Sequence, residues 1–172
     1  MPDLEMTLEQ MIDLAVEHAK NVLIGRADAQ ITPCFLLESR TGARMLFSTP
    51  WRSDIEKQIM TRALGATMRE RDILRYSFIS EAWMATMPRG DLTLEDLDKK
   101  RFADEEMPRN RSDRIEVVMI MAADKARRLS HVYRIIRGEG GTVVKLDRDQ
   151  DLIAENFIGR FANLLQASER ER

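Results

Sequence analysis

The spacing of apolar and polar positions divides the chain into segments of period two and segments of helical period. Ile73–Met87 alternates large side chains, with Leu74, Tyr76, Phe78, Ala82 and Met84 on one side and Ile79 and Trp83 on the other, and Ile115–Ala123 repeats the pattern. A period of two is that of a β-strand. Strands apolar on alternate positions need cover, so these two predict a helix-backed sheet. Thr7, followed three residues on by Gln10, forms a capping-box signature. Leu8, Met11, Ala15, Ala19 and Val22 then make one helical stripe, widened by Ile12 and Leu23 and ended by Gly25. Ile31–Glu38 and Ala43–Ser48 read as a hairpin around Ser39-Arg40-Thr41-Gly42. Ser53 and Glu56 predict a second capped helix reaching about Arg69, with Ile55, Ile59, Ala63 and Leu64 as its apolar stripe.

Beyond a turn near Asp124-Lys125, Leu129–Arg137 places Leu129, His131, Tyr133 and Ile135 on one side of a further strand. Gly138–Gly141 turns the chain into a short strand, Thr142–Leu146. A last helix is expected to begin within Asp147–Asp151 and to bring Ile153, Phe157, Phe161, Leu164 and Leu165 to the core. Residues 88–114 differ from the rest: seven bases and eight acids lie between Arg89 and Arg114, and apolar residues are few. That composition predicts a charged surface excursion, partly disordered, with room for a short helix from Thr93 to Arg101. The expectation is a single α+β domain over residues 1–172, with a largely antiparallel sheet of five to six strands. Three amphipathic helices with one stripe each would pack mainly on one face of that sheet, leaving the other to solvent, to the charged excursion or to a second subunit.

Length and charge narrow the partners. A chain of 172 residues suffices for one domain with a substantial core. Lys and Arg number 27 against 29 Asp and Glu, which gives no specific nucleic-acid signal and no reason to expect an anionic membrane as obligatory partner. Cys34 is the only cysteine, so no intrachain disulfide forms. The start MPDLEMTLEQ carries acids where a targeting peptide carries bases, and no apolar run approaches the roughly 20 residues of a membrane span. A cytoplasmic location is expected.

Candidate chemistry is sparse. No cluster has the spacing of a metal site, a phosphate cradle or a nucleophile elbow, so no metal, cofactor or catalytic residue is assigned. Glu81 places a carboxylate in an apolar strand and needs a partner, for which Arg134 and Arg137 are the candidates. His131 lies mid-strand and would form an acid–base pair with Glu81 if their strands are neighbours. Glu81, Trp83, His131, Arg134 and Arg137 are therefore the candidate ligand-binding set, as in a small-molecule binder or a small hydrolase-like enzyme. His18 reads as a boundary residue of the first helix, Cys34 as a small core residue, and the Gly138–Gly141 run as a turn. If Ile79, Trp83, Val118 and Ile120 share an uncovered sheet face, that patch is too apolar for a monomer. The leading expectation is accordingly a non-catalytic interaction protein that forms a homodimer through the face.

The segments Phe47-Ser48-Thr49-Pro50-Trp51, Ser80-Glu81-Ala82-Trp83-Met84, Ser112-Asp113-Arg114-Ile115-Glu116-Val117 and Ile135-Ile136-Arg137 resemble a pattern in small uncharacterised bacterial and phage proteins over most of the chain. The resemblance implies a fold and carries no activity, ligand or site residue.

Overall fold

Apolar side chains on both sides of a central strand must be buried on both sides, and the way this chain does so sets its architecture. The structure, a computed structural model, describes residues 6–85, 108–150, 154–155 and 164–167. Helix α1 (Leu8–Leu23) precedes the hairpin β1 (Cys34–Ser39) and β2 (Arg44–Ser48). Helix α2 (Asp54–Glu70) leads into β3 (Ile73–Met84), and β4 (Ile115–Asp124), β5 (Arg128–Arg137) and β6 (Val143–Arg148) follow. The two-residue β7 (Ala154–Glu155) and the short α3 (Leu164–Ala167) complete the described elements.

Six strands lie in the order β2-β1-β3-β4-β5-β6, each antiparallel to its neighbours, and β7 adds to β5 at Leu129 and Ser130. The α+β class and the antiparallel sheet are as the pattern predicts. The longest ladder joins β3 to β4 and runs from Arg75–Asp124 to Met84–Ile115, with Ile79 opposite Ile120.

The placement of the helices departs from expectation. They do not share a face. On one side α1 packs over β3, β4, β5 and β6, burying Met11, Ile12, Ala15, Ala19 and Leu23 against Ile79, Val118, Ile120, Tyr133 and Ile135. On the other side Leu64 and Met68 of α2, with Leu164 and Leu165 of α3, bury Phe35, Leu37, Tyr76, Phe78 and Met121. One stripe per helix says that each helix has one partner surface; it leaves open which side of the sheet that surface is on. With β3 and β4 apolar on both sides, a one-sided arrangement would have left half of their large side chains wet. The patch Ile79, Val118 and Ile120, expected to pair two copies, is buried on the α1 side of the sheet, and only Trp83 of that set is exposed.

Local signals account for most of the boundaries. At α1 the Thr7 hydroxyl accepts from the Gln10 N–H (3.1 Å) and the Gln10 side chain accepts from the Thr7 N–H (2.8 Å), a complete capping box. Ser53 caps α2 through the Glu56 N–H (3.2 Å), but the Glu56 carboxylate takes the N–H of Arg52 instead of that of Ser53. The α2 stripe is displaced from the expected one: Leu64 and Met68 are buried, while Ile55 and Ile59 are 70% and 61% exposed. The expected final helix does not begin near Asp147. Strand β6 runs on to Arg148 and Ala154–Glu155 is extended; helix is present at Leu164–Ala167, whereas Ile153, Phe157 and Phe161 lie outside the described residues. The stretch 86–107, including the short helix expected from Thr93, is outside them too.

The two edges of the sheet differ. The β6 edge is closed by the chain leaving α1, where Gly25 (φ +80°) donates to the Val143 carbonyl (2.9 Å) and the Val143 N–H returns to Arg26 (3.1 Å). At the opposite edge β2 has β1 as its only strand neighbour among the described residues. Among the described residues, no helix is long and apolar enough to cross a membrane.

The displaced α2 stripe is directly testable. Leu64→Ala is expected to lower unfolding stability in urea by about 2–5 kcal/mol, and Ile59→Ala to stay within about 0.5 kcal/mol. Comparable losses for the two would contradict the burial of one and the exposure of the other.

Candidate functional site

The sequence-derived candidates do not form one site. Along β5, odd-numbered residues face α1, as Leu129, Tyr133 and Ile135 show, so His131 and Arg137 point to that side and Arg134 to the other. Arg134 is held there by Asp149, with Nε and Nη2 donating to Oδ2 at 2.8 and 2.6 Å. Glu81 and His131 share the α1 side, but Glu81 is level with Val118 and Tyr133, whereas His131 is level with Ile120. Two strand spacings across and two residues along put their backbones about 12 Å apart, beyond hydrogen-bond reach for an acid–base pair. Glu81 is engaged elsewhere, and His131 in part, its buried Nδ1 having no hydrogen-bond partner among the described residues. His131 Nε2 lies 3.1 Å from Arg148, and its pKa falls because burial disfavours the imidazolium and Arg148 repels it.

Glu81, Trp83 and Arg137 do gather at one end of β3–β5, around Glu116. Arg137 grips Glu116 with Nε and Nη2 (2.7 and 2.6 Å) and donates through Nη1 to the carbonyls of Ala27 (3.1 Å) and Gly141 (2.8 Å). Glu81 accepts from the Ile31 N–H at 2.6 Å, a partner different from the arginine that was expected. Trp83, opposite Glu116 in the ladder, carries the Arg114 guanidinium 4.6 Å from its ring centroid. These bonds tie the segment after α1 and the β5–β6 turn to the sheet. The Arg137 donors are spent on Glu116 and two carbonyls, so this end reads as a clasp of the fold.

A different place has the opposite character. Helix α1 is centred over β3–β6 and leaves a groove between its flank and the β1–β2 end of the sheet, enclosing about 300 Å³. Its walls are Leu14 and Ala15 of α1, Leu36 of β1, Leu46 of β2 and Ile79 of β3. Leu46 is 60% exposed at the mouth, while Cys34 (3%) and Ser77 (1%) are buried within. Glu17, His18 and Asn21 follow Leu14 at helical spacing and form the lip on α1.

The local cause of the groove is side-chain size. Ser77 stands between Leu36 and Ala122 on the sheet, and Ala15 faces it from the helix, so three small residues occur where large ones would close the gap. No described residue makes a hydrogen bond to the Ser77 hydroxyl. The Cys34 thiol is likewise free, and burial pushes its pKa up, so it is held protonated. Glu17 is paired with Lys20 (2.7 Å), while His18 and Asn21 make no side-chain hydrogen bond to a described residue. The site thus combines aliphatic walls with a few polar groups whose bonding capacity is unused.

Sequence reasoning placed Cys34 in the core and His18 at a boundary, both correct as burial, and did not join them. Ser77, Leu36 and Leu46 gave one signal: a small polar residue inside an otherwise large-residue strand. Nothing in the chain says that α1 lies off-centre on the sheet, which is what makes that residue a cavity floor. Among the described residues, no group of three or more His, Cys, Asp and Glu side chains is placed to hold a metal ion.

The clasp yields a pH prediction. The Glu81 pKa is raised, chiefly by desolvation and further by Glu116, with the Ile31 N–H and Arg137 opposing. A carboxyl with a raised native pKa has no penalty below its unfolded value and acquires one as pH climbs through the native value. Glu81→Gln, which keeps an acceptor for Ile31, should therefore gain in melting temperature relative to wild type between pH 4 and pH 7. A gap that shrinks or reverses over that range would contradict the assignment.

Comparison with protein-family models, with curated proteins and with solved structures returns no match, so the chemistry of the site rests on its own geometry.

Proposed function

We propose that this chain is a small-molecule-binding protein whose site is the groove between α1 and the β1–β2 end of the sheet. The observation that carries the reading is a cavity walled by Leu14, Leu36, Leu46 and Ile79 with Ser77 on its floor, a residue 1% exposed whose hydroxyl makes no hydrogen bond to a described residue. A hydroxyl that opens on a cavity without a protein partner takes water or a ligand as its partner. A volume of about 300 Å³ falls at the lower end of the roughly 300–1,000 Å³ typical of small-molecule sites. The clasp at Glu81 and Arg137 supports the same reading by contrast, since its polar groups are already bonded to one another. Binding without turnover is the simplest use of the groove: its buried thiol is protonated, and His18 stands at the lip.

The chain's single cysteine offers a direct readout. Alkylation of Cys34 by iodoacetamide in the native protein should slow at least threefold in the presence of a small aliphatic compound that enters the groove, and remain unaffected by the same compound in urea. If no member of a diverse panel of such compounds alters the rate, the groove is not a ligand site.

A further inference from the structure

The order of polar groups along the groove says more about its occupant than its volume does. The buried end offers two uncharged groups, the Ser77 hydroxyl and the Cys34 thiol. Of the described lining side chains, Glu17 is the one carboxylate, sits at the lip, and is paired with Lys20. Among the described residues no lysine, arginine, phenylalanine, tyrosine or tryptophan lines the cavity, and the one ring, the His18 imidazole, stands at the lip. An ionised carboxylate or phosphate pushed to the floor would meet no cation among the described residues, and an ammonium no anion, and either would be desolvated without compensation. A plain alkyl end would fill the space but leave the hydroxyl unbonded. Leu14, Leu36, Leu46 and Ile79 give the walls no planar ring on which a nucleobase would stack.

Resting on the proposed groove, we infer that its ligand is a compact neutral aliphatic molecule that enters with a hydrogen-bonding head, such as an alcohol, ketone or primary amide. The head bonds Ser77 Oγ, which serves as donor or acceptor as required, and the chain lies between Leu36, Leu46 and Ile79. An inward head reverses the orientation in which an amphiphile buries its tail and leaves its head in water. Ser77 decides between the two, because it is the group that an inward tail would strand.

Four six-carbon probes of equal chain length separate the possibilities by isothermal titration at pH 7: 1-hexanol, hexanamide, hexanoate and hexylammonium. The alcohol and the amide should bind at least tenfold tighter than either ion, and Ser77→Ala should erase most of that advantage. Leu46→Ala, at the exposed mouth where folding is not at stake, should weaken the alcohol and the amide together. Hexanoate or hexylammonium binding as tightly as the neutral pair would overturn the inference, as would an unchanged preference in Ser77→Ala. If none of the four binds while Cys34 is still protected by other compounds, the head-inward chemistry is wrong and the groove stands. If Cys34 is protected by nothing, the groove itself falls, and this inference with it.

Discussion

Width is the constraint on which the rest of this structure depends. The outer strands of a six-stranded sheet stand about 24 Å apart, five spacings of ~4.8 Å, while a helix with its side chains is ~10–12 Å across. One helix therefore cannot roof one face. This chain puts a single sixteen-residue helix on one side and α2 with α3 on the other, although β3 and β4 are apolar on both sides. Burial is most valuable where the sheet is most apolar, so α1 settles over β3–β6 and covers Ile79, Val118 and Ile120. The remainder, the β1–β2 end, is left as a groove.

The same constraint sorts the polar residues. At the far end of β3–β5, where the chain leaving α1 folds back on the sheet, space is short and charges are made to satisfy one another. Arg137, Glu116, Glu81 and the Ile31 amide become a clasp. In the groove, the side chains of Ser77, Cys34 and His18 make no hydrogen bond to a described residue. A residue buried with all its partners is best explained by stability, and one buried without them asks for something from outside the chain. By that criterion the two ends of one sheet have different roles.

Much of the architecture was legible along the chain because it rests on local physics. The capping box at Thr7 and Gln10, the alternation in β3, β4 and β5, and the glycine turn before β6 each depend on a few neighbouring residues. What was not legible depends on distant surfaces. The side of the sheet each helix covers, the outward turn of Ile55 and Ile59, and the extension of Ala154–Glu155 on β5 are all decided by packing partners far away in sequence. The site follows the same rule. Glu81, Trp83 and Arg137 stood out because charged and aromatic side chains are conspicuous in apolar strands, and they proved to be bonded within the fold. Ser77 was inconspicuous, since its significance lies in what α1 fails to place opposite it.

The central claim, that the uncovered flank of α1 is a ligand-accessible cavity floored by Ser77, is tested most directly by methyl NMR. Intermolecular nuclear Overhauser effects from bound 1-hexanol should reach the methyl groups of Leu36, Leu46 and Ile79 and leave those of Ile55 and Ile59 untouched. Contacts confined to Ile55 and Ile59, or their absence from Leu36, Leu46 and Ile79 at concentrations that saturate the protein, would contradict it.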